Sequence, residues 1–233
     1  MDVLIIIGLL ILGCLLNCLW EPGFTPAKRL AWVYLALSCI IALSAWLFYF
    51  AGIRITVIQS ALGVLKQYGG YLSHLLLGFL MANILFKVWM KDTLPDSENL
   101  RAMIRTTLWG AAIGIANSFI IATVGKSMNM PYMIGFFKQS GYAVWFLYFI
   151  MAAETAGALG ILLHVKLRTG MAASLGLFLI MTGAVYTHVH NHDPFSDSYA
   201  ALVQLINLST LLLIYYLEKM AGRKPADTHI YII

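Results

Sequence analysis

Long runs of apolar residues, separated by short polar segments, make up almost the whole chain. A run of about 20 apolar residues is the length that an α-helix needs to cross the hydrocarbon core of a bilayer. The pattern therefore predicts an all-α integral membrane protein with seven transmembrane helices. The predicted spans are 3–20, 30–51, 71–90, 106–124, 142–165, 171–188 and 199–217. Glycines within the spans predict close helix packing, and they are Gly110, Gly114, Gly157, Gly160, Gly176 and Gly183.

The composition agrees with this pattern. Hydrophobic residues make up 61% of the chain, charged residues 11%, and the mean hydropathy is +0.84, whereas about a quarter of the residues of a soluble domain are charged. No length remains for a water-soluble catalytic domain, and no nucleotide-binding fingerprint, P-loop or serine nucleophile elbow is found in the sequence. The net charge of +5 comes from basic residues dispersed at helix ends, so it predicts contact with a lipid bilayer and no nucleic-acid partner.

The basic residues predict the orientation. With the N-terminus outside, the cytoplasmic segments contain eleven of the 15 lysines and arginines and the outer segments contain four. This is the bias that the positive-inside rule requires. We therefore expect a cytoplasmic C-terminus and a multi-pass protein of the plasma (inner) membrane.

Three connections divide the chain. Residues 52–70 become amphipathic, which predicts a segment along the outer interface. Residues 126–141 mix methionine and aromatic residues with Pro131, which predicts a segment that dips into the membrane and caps a cavity. The polar loop 92–100 marks the predicted boundary between two halves. The predicted regions are a three-helix N-terminal membrane region (1–100), a four-helix membrane bundle (101–220) and a cytoplasmic tail (221–233).

One carboxylate, Glu154, lies in the middle of the fifth predicted span. An ionisable group at this depth costs about 2.5–3.5 kcal/mol even on insertion scales, and it usually marks a functional site. With a rise of 1.5 Å per residue, Glu154 is expected about 18 Å below the outer start of its helix. It either handles a proton or substrate at the floor of an outward-facing polar pocket, or it is a structural acid bonded to Thr123, Asn117 or Asn207. The other predicted lining residues are Asn117, Gln204, Asn207 and His74.

A histidine-rich run follows the sixth predicted span. His188 and His192 are four residues apart, a spacing that places two imidazoles on one helical face, and His190 and Asp193 lie beside them. The methionine-rich segment 128–133 is expected on the same side of the membrane. Thioethers with imidazoles suit copper, whereas imidazoles with a carboxylate suit zinc or iron. The alternative is a solvated polar helix end.

Haem is a second metal hypothesis. His74 and His188 are both expected in the outer half of the membrane, and imidazole is a common axial ligand of haem iron. Nothing in the spacing of the two residues selects iron porphyrin over ordinary packing. An optical spectrum of the purified protein tests this hypothesis.

Residues 105–219 contain four short motifs in order. A helix ends in Val-Gly-Lys (124–126), and the next helix carries Glu-Thr-Ala-Gly-Ala-Leu-Gly (154–160). A basic turn reads Leu-Arg-Thr-Gly-Met-Ala-Ala (167–173), and a further helix closes with Gly-Ala-Val-Tyr-Thr-His (183–188). In its motifs and their spacing, this segment resembles the DoxX family of small four-helix membrane proteins.

The resemblance implies a four-helix bundle of the kind found in membrane redox systems, including a subunit of thiosulfate:quinone oxidoreductase. It implies protein partners in a membrane redox complex and a quinone as electron acceptor. The family pattern carries onto Lys126, Glu154, Arg168 and His188 of this chain. Lys126 has an alternative interpretation as an interfacial anchor whose ammonium reaches the lipid head groups.

Three function classes follow. The favoured class is a quinone-linked oxidoreductase subunit, with Glu154 managing the coupled proton and Lys126 or His188 near an anionic substrate or a quinone oxygen. The second is a membrane enzyme that acts on a lipid-soluble substrate with Glu154 and His188 as an acid/base pair. The third is a transporter or scaffold without chemistry of its own, which the absence of an inverted repeat in the sequence makes less favoured.

Overall fold

The structure is a computed structural model that describes residues 3–20, 24–50, 56–90 and 97–222. Every element in these ranges is helical. Parts of three predicted segments lie outside the described residues. They are residues 52–55 of the interfacial segment 52–70, residues 92–96 of the loop 92–100 and residues 223–233 of the tail 221–233. The helices are α1 Val3–Leu19, α2 Phe24–Phe50, α3 Thr56–Trp89, α4 Ser97–Met128, α5 Met130–Gln139, α6 Val144–Leu162, α7 His164–Leu167, α8 Gly170–His190 and α9 Phe195–Gly222.

Six of the described helices are long and apolar enough to cross a membrane. They are α2, α3, α4, α6, α8 and α9, and α1 is a shorter apolar helix of 17 residues. The outer surface of these helices is apolar as well, with Trp32 57%, Leu43 60% and Leu179 64% exposed. Such an apolar exterior is what lipid, but not water, solvates favourably. The chain is therefore a multi-pass membrane protein, and its seventh span and its orientation stay predictions.

The helices α4, α6, α8 and α9 form a closed ring, because each of them packs against two neighbours in the ring. Small residues allow these contacts. A Cβ atom added at Gly157 of α6 would lie 2.5 Å from Leu177 Cγ of α8, and one added at Gly160 would lie 2.8 Å from Ala173 Cβ. The predicted four-helix bundle is thus found, with these two glycines at a close helix crossing.

Not every predicted packing glycine has this role. Gly110 does, because an added Cβ would lie 2.6 Å from the ring of Tyr34 on α2. Gly114, Gly176 and Gly183 have no described neighbour within 4 Å of such an atom. For these three positions the prediction of close packing is wrong, since they are exposed on the outside of their helices.

The N-terminal helices pack on the outside of this ring. α2 lies along α4, and α1 lies along α3. An added Cβ at Gly78 of α3 would lie 2.2 Å from the carbonyl oxygen of Leu10, and the Asn83 Nδ2 atom donates a hydrogen bond of 2.8 Å to Asn17 Oδ1. Leu10 contacts Gly78 and, further along both helices, Asn17 contacts Asn83, so α1 and α3 run in the same direction. This is the arrangement expected if both helices cross the membrane with α2 between them.

Two predicted connections are helical. The described part of the segment 52–70 is the first part of α3, which is continuous from Thr56 to Trp89. The segment 126–141 contains the last turn of α4 and the short helix α5, whose Pro131 occupies its first turn. α5 packs against α4 and against the start of α6, where the ring of Phe137 contacts Phe146.

Candidate functional site

An ion pair joins the last turn of α4 to the middle of α6. The ammonium group of Lys126, in the last turn of α4, donates hydrogen bonds to both carboxylate oxygens of Glu154. The Thr123 Oγ1 atom, one turn earlier on α4, donates a third hydrogen bond of 3.2 Å to Glu154 Oε2. The side chain of Glu154 is 1% exposed and that of Lys126 is 22% exposed. A buried carboxylate is thus linked to the surface through a lysine.

The sequence of α6 explains why Glu154 points inward. Leu147, Glu154, Ala158 and Ile161 are its buried residues, and their spacing of seven, four and three places them on one face. The α-helix begins at Val144 rather than at residue 142, so Glu154 lies about 15 Å from the start of α6 at 1.5 Å per residue. Position 154 therefore faces the bundle although α6 is apolar on every side.

Lys126 does not serve as a free interfacial anchor. Its side chain turns toward α6, because a carboxylate in a low-dielectric interior attracts an ammonium more strongly than water-screened head groups do. The interpretation of Lys126 as a head-group anchor is wrong. Thr123 was one of the three expected partners of Glu154, and this contact is found. Of the other two expected partners, Asn207 contacts His74 instead. The side-chain oxygen of Asn117 has no hydrogen-bond partner among the described residues.

His74 and Asn207 form a second polar contact, between α3 and α9. The ring nitrogens of His74 lie 2.6 Å from the Gly70 carbonyl oxygen and 3.1 Å from Asn207 Oδ1. The carbonyl accepts only, so Nδ1 carries a proton. A neutral His74 then needs a donor at Nε2, which the Asn207 amide supplies if its oxygen and nitrogen are exchanged. The Asn207 amide thus occupies the Nε2 position that a haem iron would need, and the haem hypothesis stays a prediction.

Asn117 of α4 and Gln204 of α9 are the remaining predicted pocket residues. The side-chain oxygen of each is buried, and it has no hydrogen-bond partner among the described residues. Buried polar atoms are normally satisfied. Each of these two oxygens can therefore accept a hydrogen bond from a bound molecule. The structure does not place either of them in contact with Glu154.

The histidine-rich run lies at the end of α8 and beyond it. α8 ends at His190, and His192 lies beyond it in a left-handed conformation with φ 57°. The prediction that His188 and His192 share a helical face is therefore wrong. His190 stacks on the ring of Tyr186 at 5.9 Å. Within the ranges that the structure describes, no group of three or more histidine, cysteine, aspartate or glutamate side chains is placed to hold a metal ion. The copper hypothesis, which also uses the methionines of 128–133, stays a prediction.

His188 instead belongs to a polar contact at the end of α8. Its Nδ1 lies 2.8 Å from Asp193 Oδ2, so Asp193 orients the ring as the sequence suggested. The ring also packs against Phe136 of α5, with centroids 5.3 Å apart. Nearby, Asn191 Nδ2 donates a hydrogen bond of 2.7 Å to Ser140 Oγ, which ties the end of α8 to the connection after α5. Glu154 and His188 thus have different hydrogen-bond partners, and their action as an acid/base pair on a substrate stays a prediction.

Arg168 lies elsewhere. It follows α7 and lines a cavity of about 290 Å³ at the end of the bundle where α6 turns into α8. Ten residues separate Glu154 from His164, which also lines this cavity, or about 15 Å along a helix. Arg168 is therefore not part of the Glu154 site. This cavity was not predicted from the sequence, and its polar lining consists of Arg105, His164, Arg168, Tyr215 and Glu218.

One sequence signal could have identified this second site. α4 and α8 begin, and α6 and α9 end, on the same side of an antiparallel bundle. Arg105, His164 and Glu218 each lie near such an end, so their side chains meet once the four helices are packed in a ring. Of the three, only Arg105 entered the sequence argument, as one of the basic residues that predict the orientation.

Comparison with known proteins concerns the same part of the chain. No curated protein and no solved structure matches the chain at a significant level. Residues 107–212, somewhat less than half of the chain, match a family model. This segment begins in α4, ends in α9, and contains Lys126, Glu154, Arg168 and His188. The family is described as the DoxX-like family, so the predicted resemblance is confirmed over the ring of four helices.

Proposed function

We propose that this protein is a membrane subunit of a quinone-linked redox system, in which the Lys126–Glu154 pair exchanges protons with a quinone in the bundle. The observation that carries the proposal is the unequal burial of the pair: Glu154 is 1% exposed, whereas Lys126 is 22% exposed. A proton can therefore reach the buried acid by way of a group that is in partial contact with the surroundings of the bundle.

The chemistry of quinones fits such a pair. Reduction of a quinone to a quinol takes up two electrons and two protons, and the protons must come from groups inside the membrane. Within the ion pair Glu154 is a carboxylate, so it takes up a proton from the surroundings by way of Lys126 and then passes that proton to the reduced quinone. The release restores the ion pair and leaves no unpaired charge on the acid. The buried amide oxygens of Asn117 and Gln204 supply acceptors for quinol hydroxyl groups in the same bundle.

The electrons are proposed to come from a protein partner. The chain has no nucleotide-binding fingerprint, and the resemblance to the DoxX family links such bundles to membrane redox complexes of several subunits. We place the complex in the plasma membrane, with the ends of α4 and α8 that hold Lys126 and His188 facing outward. His188, oriented by Asp193, is the proposed contact for an anionic substrate or a quinone oxygen.

Infrared spectroscopy tests the proposal without the unknown electron donor. The full-length protein is placed in a lipid film on an electrode with decylubiquinone, and the electrode supplies the electrons. Proton transfer by Glu154 gives a change in the carboxyl C=O band when the quinone is reduced. We expect this band in the wild type and in Glu98→Gln, which removes an exposed carboxylate of α4. We expect its loss in Glu154→Gln, and an unchanged spectrum in that variant would contradict the proposal.

A further inference from the structure

The cavity beside Arg168 is separate from the Lys126–Glu154 pair. It has a volume of about 290 Å³ and lies between α4, α9 and the connection from α6 to α8. This volume is close to the lower limit of small-molecule sites, roughly 300 Å³. It therefore suits a small charged group with a short organic part. The residues of the lining that matter here are Arg105, Trp109, His164, Arg168, Tyr215 and Glu218.

The wall that carries Arg168 is held by side-chain contacts. Thr169 Oγ1 donates a hydrogen bond of 2.7 Å to the Gly160 carbonyl oxygen, and the Gly170 N–H donates one of 3.2 Å to His164 Nδ1. Arg168 itself has φ 52°, a conformation that non-glycine residues rarely adopt. Because the hydrogen bonds of Thr169 and Gly170 hold the chain that follows Arg168, the backbone of Arg168 has a defined position in the cavity wall.

Gly170 is required for the same wall. A Cβ atom added there would lie 2.0 Å from Tyr215 Oη and 2.9 Å from His164 Cβ. The rings of Tyr215 and His164 are in contact, with centroids 4.5 Å apart. Since no larger residue fits at position 170, the glycine allows α9 to close this side of the cavity.

The cavity has a net positive charge. His164 Nδ1 accepts the Gly170 N–H, so the ring carries its proton on Nε2, which lies 3.5 Å from Glu218 Oε2. His164 in this state adds no charge. Arg105 and Arg168 add two positive charges and Glu218 adds one negative charge. Both arginines are exposed, and neither has a hydrogen-bond or ion-pair partner in the part of the chain that the structure describes.

We propose that this cavity is a binding site for a phosphate group, which Arg105 and Arg168 contact from two different elements. A guanidinium presents a planar fork of donors that matches phosphate oxygens, and two forks oppose the charge of one phosphate. Trp109 and the Tyr215 ring supply an apolar wall for the organic part of the ligand. The phosphate belongs either to inorganic phosphate or to the head group of an anionic phospholipid. The site does not depend on the proposed redox function.

Native mass spectrometry of the full-length protein in detergent tests the proposal, with inorganic phosphate and short-chain phosphatidylglycerol as separate probes. We expect one molecule of at least one probe to bind, and the probe that binds identifies the source. Loss of charge-assisted hydrogen bonds in Arg105→Gln or Arg168→Gln should weaken its binding about tenfold. Arg101→Gln is the matched control, because it removes a charge one turn away on α4 outside the cavity lining.

Glu218→Gln distinguishes the proposal from a general loss of structure. Removal of the one carboxylate in the lining should make the probe bind severalfold more tightly, and a damaged fold cannot produce this result. Absence of one-to-one binding by both probes would overturn the proposal. So would equal affinities of the wild type and the variant that combines Arg105→Gln with Arg168→Gln.

Discussion

Replacement of Lys126 should cost far more stability than replacement of its partner. In Lys126→Met, the carboxyl group of Glu154 stays 99% buried without its cation, and breaking a buried pair in this way costs about 3–5 kcal/mol. We expect about 3 kcal/mol, because Thr123 still donates a hydrogen bond to Glu154. In Glu154→Gln, the ammonium of Lys126 is already 22% exposed and can turn to the head groups. The expected cost is then about 1 kcal/mol.

The double variant completes the cycle. With Met at 126 and Gln at 154, no buried charge is left, so the expected cost is again about 1 kcal/mol and the coupling energy about 3 kcal/mol. The free energy of unfolding is measured by titration with sodium dodecyl sulfate in mixed micelles, with helicity followed by circular dichroism. Glu98→Gln is the control for loss of an exposed carboxylate. Equal costs of the two single changes that add up in the double variant would refute the reasoning.

Two further predictions concern the N-terminal helices and the orientation. Gly78→Ala should destabilise the protein by about 1–3 kcal/mol through overpacking, since the added Cβ would lie 2.2 Å from the Leu10 carbonyl oxygen. The control in the same detergent titration is Gly114→Ala, which should not destabilise the protein because its position is open. In a cysteine-free background, Asn129→Cys should react with an impermeant maleimide on intact cells, whereas Arg101→Cys should react only after permeabilisation, and the reverse pattern would invert the predicted topology.

Hydropathy was sufficient to locate the membrane helices but not their ends. α4 extends from Ser97 to Met128, beyond the predicted span 106–124, because polar residues at a helix end are solvated by head groups and need not stop the helix. The same limit explains α3, which continues through the segment that had been expected along the interface. The closed ring of α4, α6, α8 and α9 follows from short connections between antiparallel helices, as the resemblance implied.

The partner of Glu154 was harder to predict. Burial of a lone acid signals that a partner is needed, but several residues satisfied that need equally well in the sequence. The choice of Lys126 over Asn117 depends on which faces of α4 and α6 meet, and the evenly apolar α6 gives no periodic signal for its own face. The prediction that His188 and His192 share a helical face was wrong for a related reason. Four-residue spacing brings side chains together only inside a helix, and α8 ends before His192.

Solid-state NMR of the protein in lipid bilayers gives the most direct test of the central claim that Lys126 and Glu154 form a buried ion pair. Lysine is labelled with ¹⁵N at Nζ and glutamate with ¹³C at Cδ, and the dipolar coupling between the two nuclei reports their distance. The account predicts a coupling typical of a direct hydrogen bond, present in the wild type and lost in Lys126→Met. A wild-type spectrum identical to that of Lys126→Met would place the Lys126 ammonium away from the acid and contradict the account.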